Sequence, residues 1–213
     1  MKIDFTKINV WITSDTHFSH KNICRGVTEW RNEKGEIPLE RVRDFDTIEK
    51  MNDTIVNNIN NVVGQDDLLI HLGDFSFGGF ENIQKFWDRL ICKNINIIPG
   101  NHDHHITNDK DGIRGLFLNV DHYDTIPISK GCSLILFHYP ILSWDGLGKG
   151  NIHLHGHSHL PNDKKFGVGR RMDIGIDGHP DFRPYHLMDE VVPMMRKREI
   201  KSDLAHDHHM DEM

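Results

Sequence analysis

An α/β sandwich is the fold class this sequence predicts, with strands and helices alternating early in the chain and strands prevailing later. Two observations carry that expectation: short apolar runs of strand length, and two longer stretches in which apolar residues recur every three or four positions. Length supplies a third, because 213 residues favour one domain with enough buried surface to need no disulfide or structural-metal staple.

In chain order, residues 9–14 (NVWITS) read as a buried strand. Residues 28–43 (TEWRNEKGEIPLERVR) are charged, contain Gly35 and Pro38, and read as an exposed excursion. Residues 46–63 place Ile48, Met51, Ile55, Ile59 and Val62 on one helical face, with Asp44 or Asp46 as the expected cap. A second strand follows at 67–72, and a second helix at 81–90 carries Ile83, Phe86, Trp87 and Leu90. The third strand, 94–99, is stopped by Pro99 and Gly100, and residues 106–115 form another excursion. Strands at 133–137 and 151–154 and a weaker one at 172–176 complete the set, and these later strands are expected to run antiparallel. Residues 1–200 are read as one domain and 201–213 as a flexible His/Asp-rich tail.

Composition narrows the function classes. A 37% hydrophobic, 27% charged chain of net charge −7 is a soluble globular protein whose acidity opposes a broad, sequence-independent grip on nucleic acid. No apolar run approaches the roughly 18 residues of a membrane span. Lys2, Asp4, Thr6, Lys7 and Asn9 interrupt any signal-peptide core, so a cytoplasmic location is expected. Cys24, Cys92 and Cys132 are far apart and form no CxxC pair, which fits buried apolar fillers. The unusual figure is 17 histidines.

Many of those histidines sit where predicted strands end. Asp15-Thr16-His17 follows the first strand, Gly73-Asp74 the second, Gly100-Asn101-His102-Asp103 the third, His138 the fourth, and Gly156-His157-Ser158-His159 the fifth. Loops at the carboxyl ends of strands in an α/β sheet share one edge, so the five clusters are placed to converge. Carboxylate, imidazole and amide oxygen without thiolate suit borderline divalent ions. The candidates are Asp15, His17, Asp74, Asn101, His138, His157 and His159. One four-coordinate ion would leave several idle, whereas two ions sharing a carboxylate would use them all. Gly73, Gly100 and Gly156 are expected to permit sharp turns near the ions.

The series DxH, GD, GNHD, an isolated His and GHSH resembles the calcineurin-like metallophosphoesterase family over residues 10–159, with DTHFSHKN and HLHGHSH most similar to small bacterial and phage-type members. The resemblance implies a two-sheet αββα sandwich and two divalent ions (Mn, Fe, Zn, Ni or Co). It assigns Asp15, His17 and His159 to one ion, Asn101, His138 and His157 to the other, and Asp74 to a bridge between them. It implies that a hydroxide held between the ions attacks a phosphodiester or monoester directly. His102 is then the catalytic proton donor to the leaving oxygen, and Asp103 orients it or a neighbouring group.

Other polar residues have plainer readings beside functional ones. His20 either touches substrate or packs on its loop, and His155 is read as a supporting or core residue. His71 and His153 are expected as hydrogen-bonded strand positions, and His104 and His105 as exposed. Lys21, Arg114, Arg170 and Arg171 are candidates to hold phosphate oxygens, with Arg170 and Arg171 favoured because they precede the last predicted strand. The favoured substrate is a small phosphoester or nucleotide. A nuclease resembling double-strand-break repair enzymes is the first alternative, since Phe18 follows DTH, and a metal-dependent interaction module without catalysis is the second.

Overall fold

The computed structural model describes residues 3–202, so most of the expected tail lies outside the described residues. Parallel pairing builds the first sheet. β1 (Val10–Thr13) leads through α1 (Ile48–Asn60) to β2 (Leu68–His71), and β2 through α2 (Phe80–Arg89) to β3 (Ile95–Ile97). The short α3 (His104–Thr107) precedes β4 (Asn119–Val120), which pairs in parallel with β3. The second sheet has the order β5 (Asp124–Ser129), β6 (Cys132–Leu136), β7 (Ile152–His155), β8 (Arg171–Asp173). The chain then returns to the first sheet as β9 (Tyr185–His186), antiparallel to β1, and ends in α4 (Val192–Arg196).

Period-two burial explains the layering. Val10 and Ile12 of β1 and Leu68 and Ile70 of β2 face the second sheet, where they meet Ile126, Leu134, Leu136, Ile152, Leu154 and Met172. Trp11 and Leu69, one position over, turn the other way and pack against Met51, Ile55 and Ile59 of α1 and Ile83 and Phe86 of α2. Complete burial of an aliphatic or Phe side chain contributes about 1.5–3 kcal/mol, so these two layers dominate the stabilisation. On the outer face of the second sheet, Ile135 is covered by Trp144 and Leu147 in a loop with one 3₁₀ turn, so the helical cover there is slight. Cys24 and Cys92 are free thiols in the core, and Cys132 is half-buried.

Two expectations change. The later strands are mostly parallel: β6, β7 and β8 run together, and antiparallel pairing is confined to β5 with β6 and β9 with β1. Connection length is the reason. Lys130 and Gly131 make a two-residue hairpin between β5 and β6, with Gly131 at φ +78°, whereas long excursions join β6 to β7 and β7 to β8 and bring the chain back to its starting edge. The cap of α1 is Thr47, whose side chain accepts from the Lys50 amide at 3.2 Å, while Asp46 pairs with the Lys50 ammonium at 2.9 Å. Among the described residues no helix is long and apolar enough to cross a membrane.

Candidate metal centre

All five strand-end clusters meet at one edge of the sandwich. The backbone of the first loop continues the sheet pairing beyond β1 and β2: the Asp15 amide donates to Gly73 O and the His17 amide to Asp74 O, both at 2.9 Å. Helix α1 braces the same loop through Asn52, whose Oδ1 accepts from the Ser19 amide at 2.8 Å. Across the sheets, the His157 amide donates to Asp15 Oδ2 at 2.9 Å, and within the first sheet the His102 amide donates to Asp74 Oδ1 at 2.9 Å. Each carboxylate therefore ties its own loop to another.

Two groups of donors result. Ligand atoms of Asp15, His17 and His159 lie within 4.8 Å of one another, and so do those of Asp74, His138 and His157. Asp74 belongs to both surroundings, with Oδ2 at 3.4 Å from His17 Nε2 and 3.6 Å from His138 Nε2. Asn101 Oδ1 joins the second group, 3.3 Å from His138 Nε2 and 2.9 Å from His157 Nδ1. Asp15, His17, Asp74 and His138 are buried, whereas Asn101 and His157 are exposed, so the centre opens to solvent on their side.

Backbone strain concentrates here. Five of the nine non-glycine residues with positive φ among those described are Asp15, His17, Asp74, His157 and His159. Such conformations cost on the order of 1 kcal/mol each and persist only where the surroundings hold them. The glycines answer two needs. Gly73 has φ +93°, but Gly156 has ordinary dihedrals and is small because a Cβ would collide with Ser14 Oγ and the Asp15 carboxylate. The same crowding, against Asp74 and His138, applies at Gly100.

The charge balance fits cations. Burial pushes the Asp15 carboxyl up to about 8, and the charges of Asp173 and Asp74 add to the effect although His159 opposes it. Burial also holds the His17 imidazole well below its usual range. His17 Nε2 and His159 Nε2 face each other at 3.0 Å, an arrangement in which two acceptor nitrogens can serve one ion. Buried acids, imidazoles and an amide oxygen converging this way match the donor chemistry of divalent ions of the Mn, Fe, Zn, Co and Ni type.

Three residues around these donors were not singled out from the sequence. Arg43, inside the excursion expected to be exposed, is buried and grips Asp177 with two nitrogens at 2.7 and 2.8 Å. Its guanidinium also donates to Thr16 O at 2.8 Å and Asp15 O at 2.6 Å. Asp177 in turn lies 2.8 Å from His159 Nδ1, and although burial opposes it, Arg43 and His159 hold its carboxyl well below the usual range. Asp173 accepts from the amides of Gly175 and Leu160 and secures the loop after β7. Asp177 follows the last predicted strand as the other acids follow theirs, a signal that would have found it. Nothing local distinguishes Arg43.

Other expectations resolve by position. The half-buried His102 ring packs on His17, with centroids 5.3 Å apart, and on Phe77 at 5.5 Å. Asp103, grouped with the catalytic residues and expected to orient His102 or a neighbouring group, is fully buried, and its carboxylate accepts from the amides of Asp74 (2.6 Å), Gly100 (2.8 Å) and Phe75 (3.0 Å), so its lone pairs hold two loops together. His20 is buried between His17, Phe77 and Trp30, and its Nδ1 has no partner among the described residues. Arg170 and Arg171 are not brought to the centre. They lie at the opening end of β8, where Arg170 donates to Gly150 O and Arg171 to Ile141 O, because the strand carries its carboxyl end, at Asp173, toward the donors. Lys21 is exposed, and Arg114 is exposed and donates to Val120 O. His71 and His153 are buried and bonded at both ring nitrogens, and His155 is buried with Nδ1 at 2.9 Å from Gly156 O. His104 is exposed and His105 half-buried.

Comparison with known proteins follows the same lines. Residues 8–208 match the calcineurin-like phosphoesterase family. The chain is 28% identical over 198 residues to Uncharacterized protein MJ1445 of Methanocaldococcus jannaschii, covering 90% of this chain and 93% of that one. It is also 28% identical over 197 residues to Gene 66 protein of Mycobacterium phage L5, covering 79% and 86% respectively. Among solved structures, the Aquifex aeolicus protein AQ665, described as of unknown function, shares the fold with a TM-score of 0.57 at 23% identity, over 83% of this chain and 94% of that one.

Proposed function

Because the chain belongs to the calcineurin-like phosphoesterase family, which implies metal-dependent phosphoester hydrolysis, we propose that it is a two-metal hydrolase of phosphodiesters or monoesters. The observation that carries this reading is the pair of donor groups meeting at Asp74. Asp15, His17 and His159 would hold one divalent ion, Asn101, His138 and His157 the other, and Asp74 both. Such ions supply Lewis acidity toward phosphoryl oxygens and lower the pKa of an attacking water.

The chain's own residues do the rest. Two carboxylates cannot neutralise two divalent ions, so the loaded centre stays cationic and attracts a phosphate locally despite a net charge of −7. His138 presents Nε2 to the donors because its Nδ1 is bound to Leu72 O at 2.6 Å, and Asp177 orients His159 in the same manner. His102 stands at the mouth beside His17, its backbone anchored by Asp74, and gives its proton to the leaving oxygen. Burial of Asp15, His17, Asp74 and His138 keeps water from the inner side of the donors.

The test is hydrolysis of bis-p-nitrophenyl phosphate against p-nitrophenyl phosphate by metal-stripped protein with Mn, Ni, Co, Zn or Mg restored. Metal-dependent turnover of at least one ester is expected, and the faster of the two assigns the substrate class. Stoichiometric metal binding without hydrolysis of either ester would mean that the pocket binds rather than cuts.

A further inference from the structure

A groove of about 590 Å³ begins at the first donor group, where His159 and Asp177 form part of its lining. That volume suits a small-molecule ligand. The segment between β1 and α1 contributes Trp30, Glu40 and Arg41, and Lys164 comes from the loop after β7. Rings connect the donors to the groove: His159 stacks on His17 at 4.8 Å between centroids, His17 meets His20 at 5.2 Å, and His20 meets Trp30 at 6.2 Å.

The lining has a particular chemistry. Trp30 is 38% exposed, and its indole is a flat apolar surface suited to stacking by a planar group. Arg41 and Lys164 are exposed and, among the described residues, have no carboxylate in ion-pair contact, unlike Arg43, which is committed to Asp177. Glu40 likewise has no cationic partner among the described residues and offers acceptors to hydroxyl groups. An ester carrying only the reacting phosphate would leave both cations and the indole unused.

We propose that this groove recognises a nucleotide with more than one phosphate, its base stacked on Trp30, its sugar hydroxyls on Glu40 and its second phosphate between Arg41 and Lys164. The assignment rests on the phosphoesterase reading for the phosphate that reaches the donors. It favours a mononucleotide over a nucleic-acid strand, because the net charge of −7 opposes an extended polyanion while two local cations suffice for one further phosphate.

Calorimetric titration of the Mn-loaded protein with ADP, adenosine and inorganic pyrophosphate tests it. ADP is expected to bind at least about tenfold more tightly than pyrophosphate, and Trp30→Ala to remove about tenfold of that affinity. Joint Arg41→Gln and Lys164→Gln substitution is expected to weaken ADP by about tenfold or more and adenosine far less. Since these side chains are exposed, thermal melts of the variants should match the parent. The assignment is overturned if the folded, Mn-loaded protein does not bind ADP, holds it no tighter than pyrophosphate, or keeps its ADP affinity in the Trp30 variant. Binding is read in a His102→Ala background, which keeps the metal and suppresses turnover, so failure of the parent to hydrolyse any ester would count against the phosphoesterase reading and not against the groove.

Discussion

The carboxylate of Asp177 lies 2.8 Å from Nδ1 of His159, directing the opposite ring nitrogen at the first donor group. Arg43 holds that carboxylate from the other side and also grips the backbone of Asp15 and Thr16, so one guanidinium sets the orientation of a donor and the loop carrying two more. Asp177→Asn is expected to lower metal affinity at this group by about 10- to 100-fold while leaving the fold intact. Titration with Mn or Zn measures this, and unchanged affinity would remove Asp177 from the arrangement.

His102→Ala should separate chemistry from binding. Its ring packs beside His17 but joins neither donor group. Turnover of a phosphodiester is expected to drop by about 10²- to 10⁴-fold with metal content unchanged. Asp74→Asn should instead reduce both metal content and turnover, because that carboxylate faces both groups. Full activity of Asp74→Asn with both metals bound would contradict the scheme.

Asp103 is expected to act through stability. Its removal in Asp103→Ala leaves two buried backbone amides and a partly buried third without an acceptor, at about 1 kcal/mol or more each. Urea unfolding should show a loss of about 3 kcal/mol or more, with Asp103→Asn intermediate because its amide retains one oxygen. A variant as stable as the parent would show that the loops close without this clamp.

Acid sensitivity should appear away from the two donor groups. His153 Nδ1 lies 3.1 Å from Ile135 O and Nε2 accepts from the Ile141 amide, which requires the neutral ring. Burial lowers its pKa to about 4 from a usual value near 6.5. Between those values the unfolded chain binds the proton and the folded chain does not, so stability falls as pH drops through this window, by up to about 1.4 kcal/mol per pH unit for this group. Stability measured from pH 7 to pH 4 should show a shallower decline in His153→Gln. An identical slope would assign the effect to other groups.

Much of the fold was legible because β1, β2, β3, α1 and α2 carry complete periodic patterns within a few residues of chain. Short β4 and β9 carry none and exist only because a neighbour's backbone pairs with them. The direction of β7 and β8 depends on connections whose path no local pattern encodes.

What the sequence alone determined about this protein is its inventory of donors. Carboxylate, imidazole and amide residues stand just past strand-like runs, and strand ends on one sheet edge must meet. Tertiary structure alone decided which of the surrounding charged residues serve the donors. Arg43 and Asp177 are 134 residues apart and bond through two nitrogens, while Arg170 and Arg171, adjacent to a strand, are spent on carbonyls at its other end. A charged side chain's partner depends on which distant segments packing brings within about 3 Å, and that distance is set by the whole core rather than by any stretch of the chain.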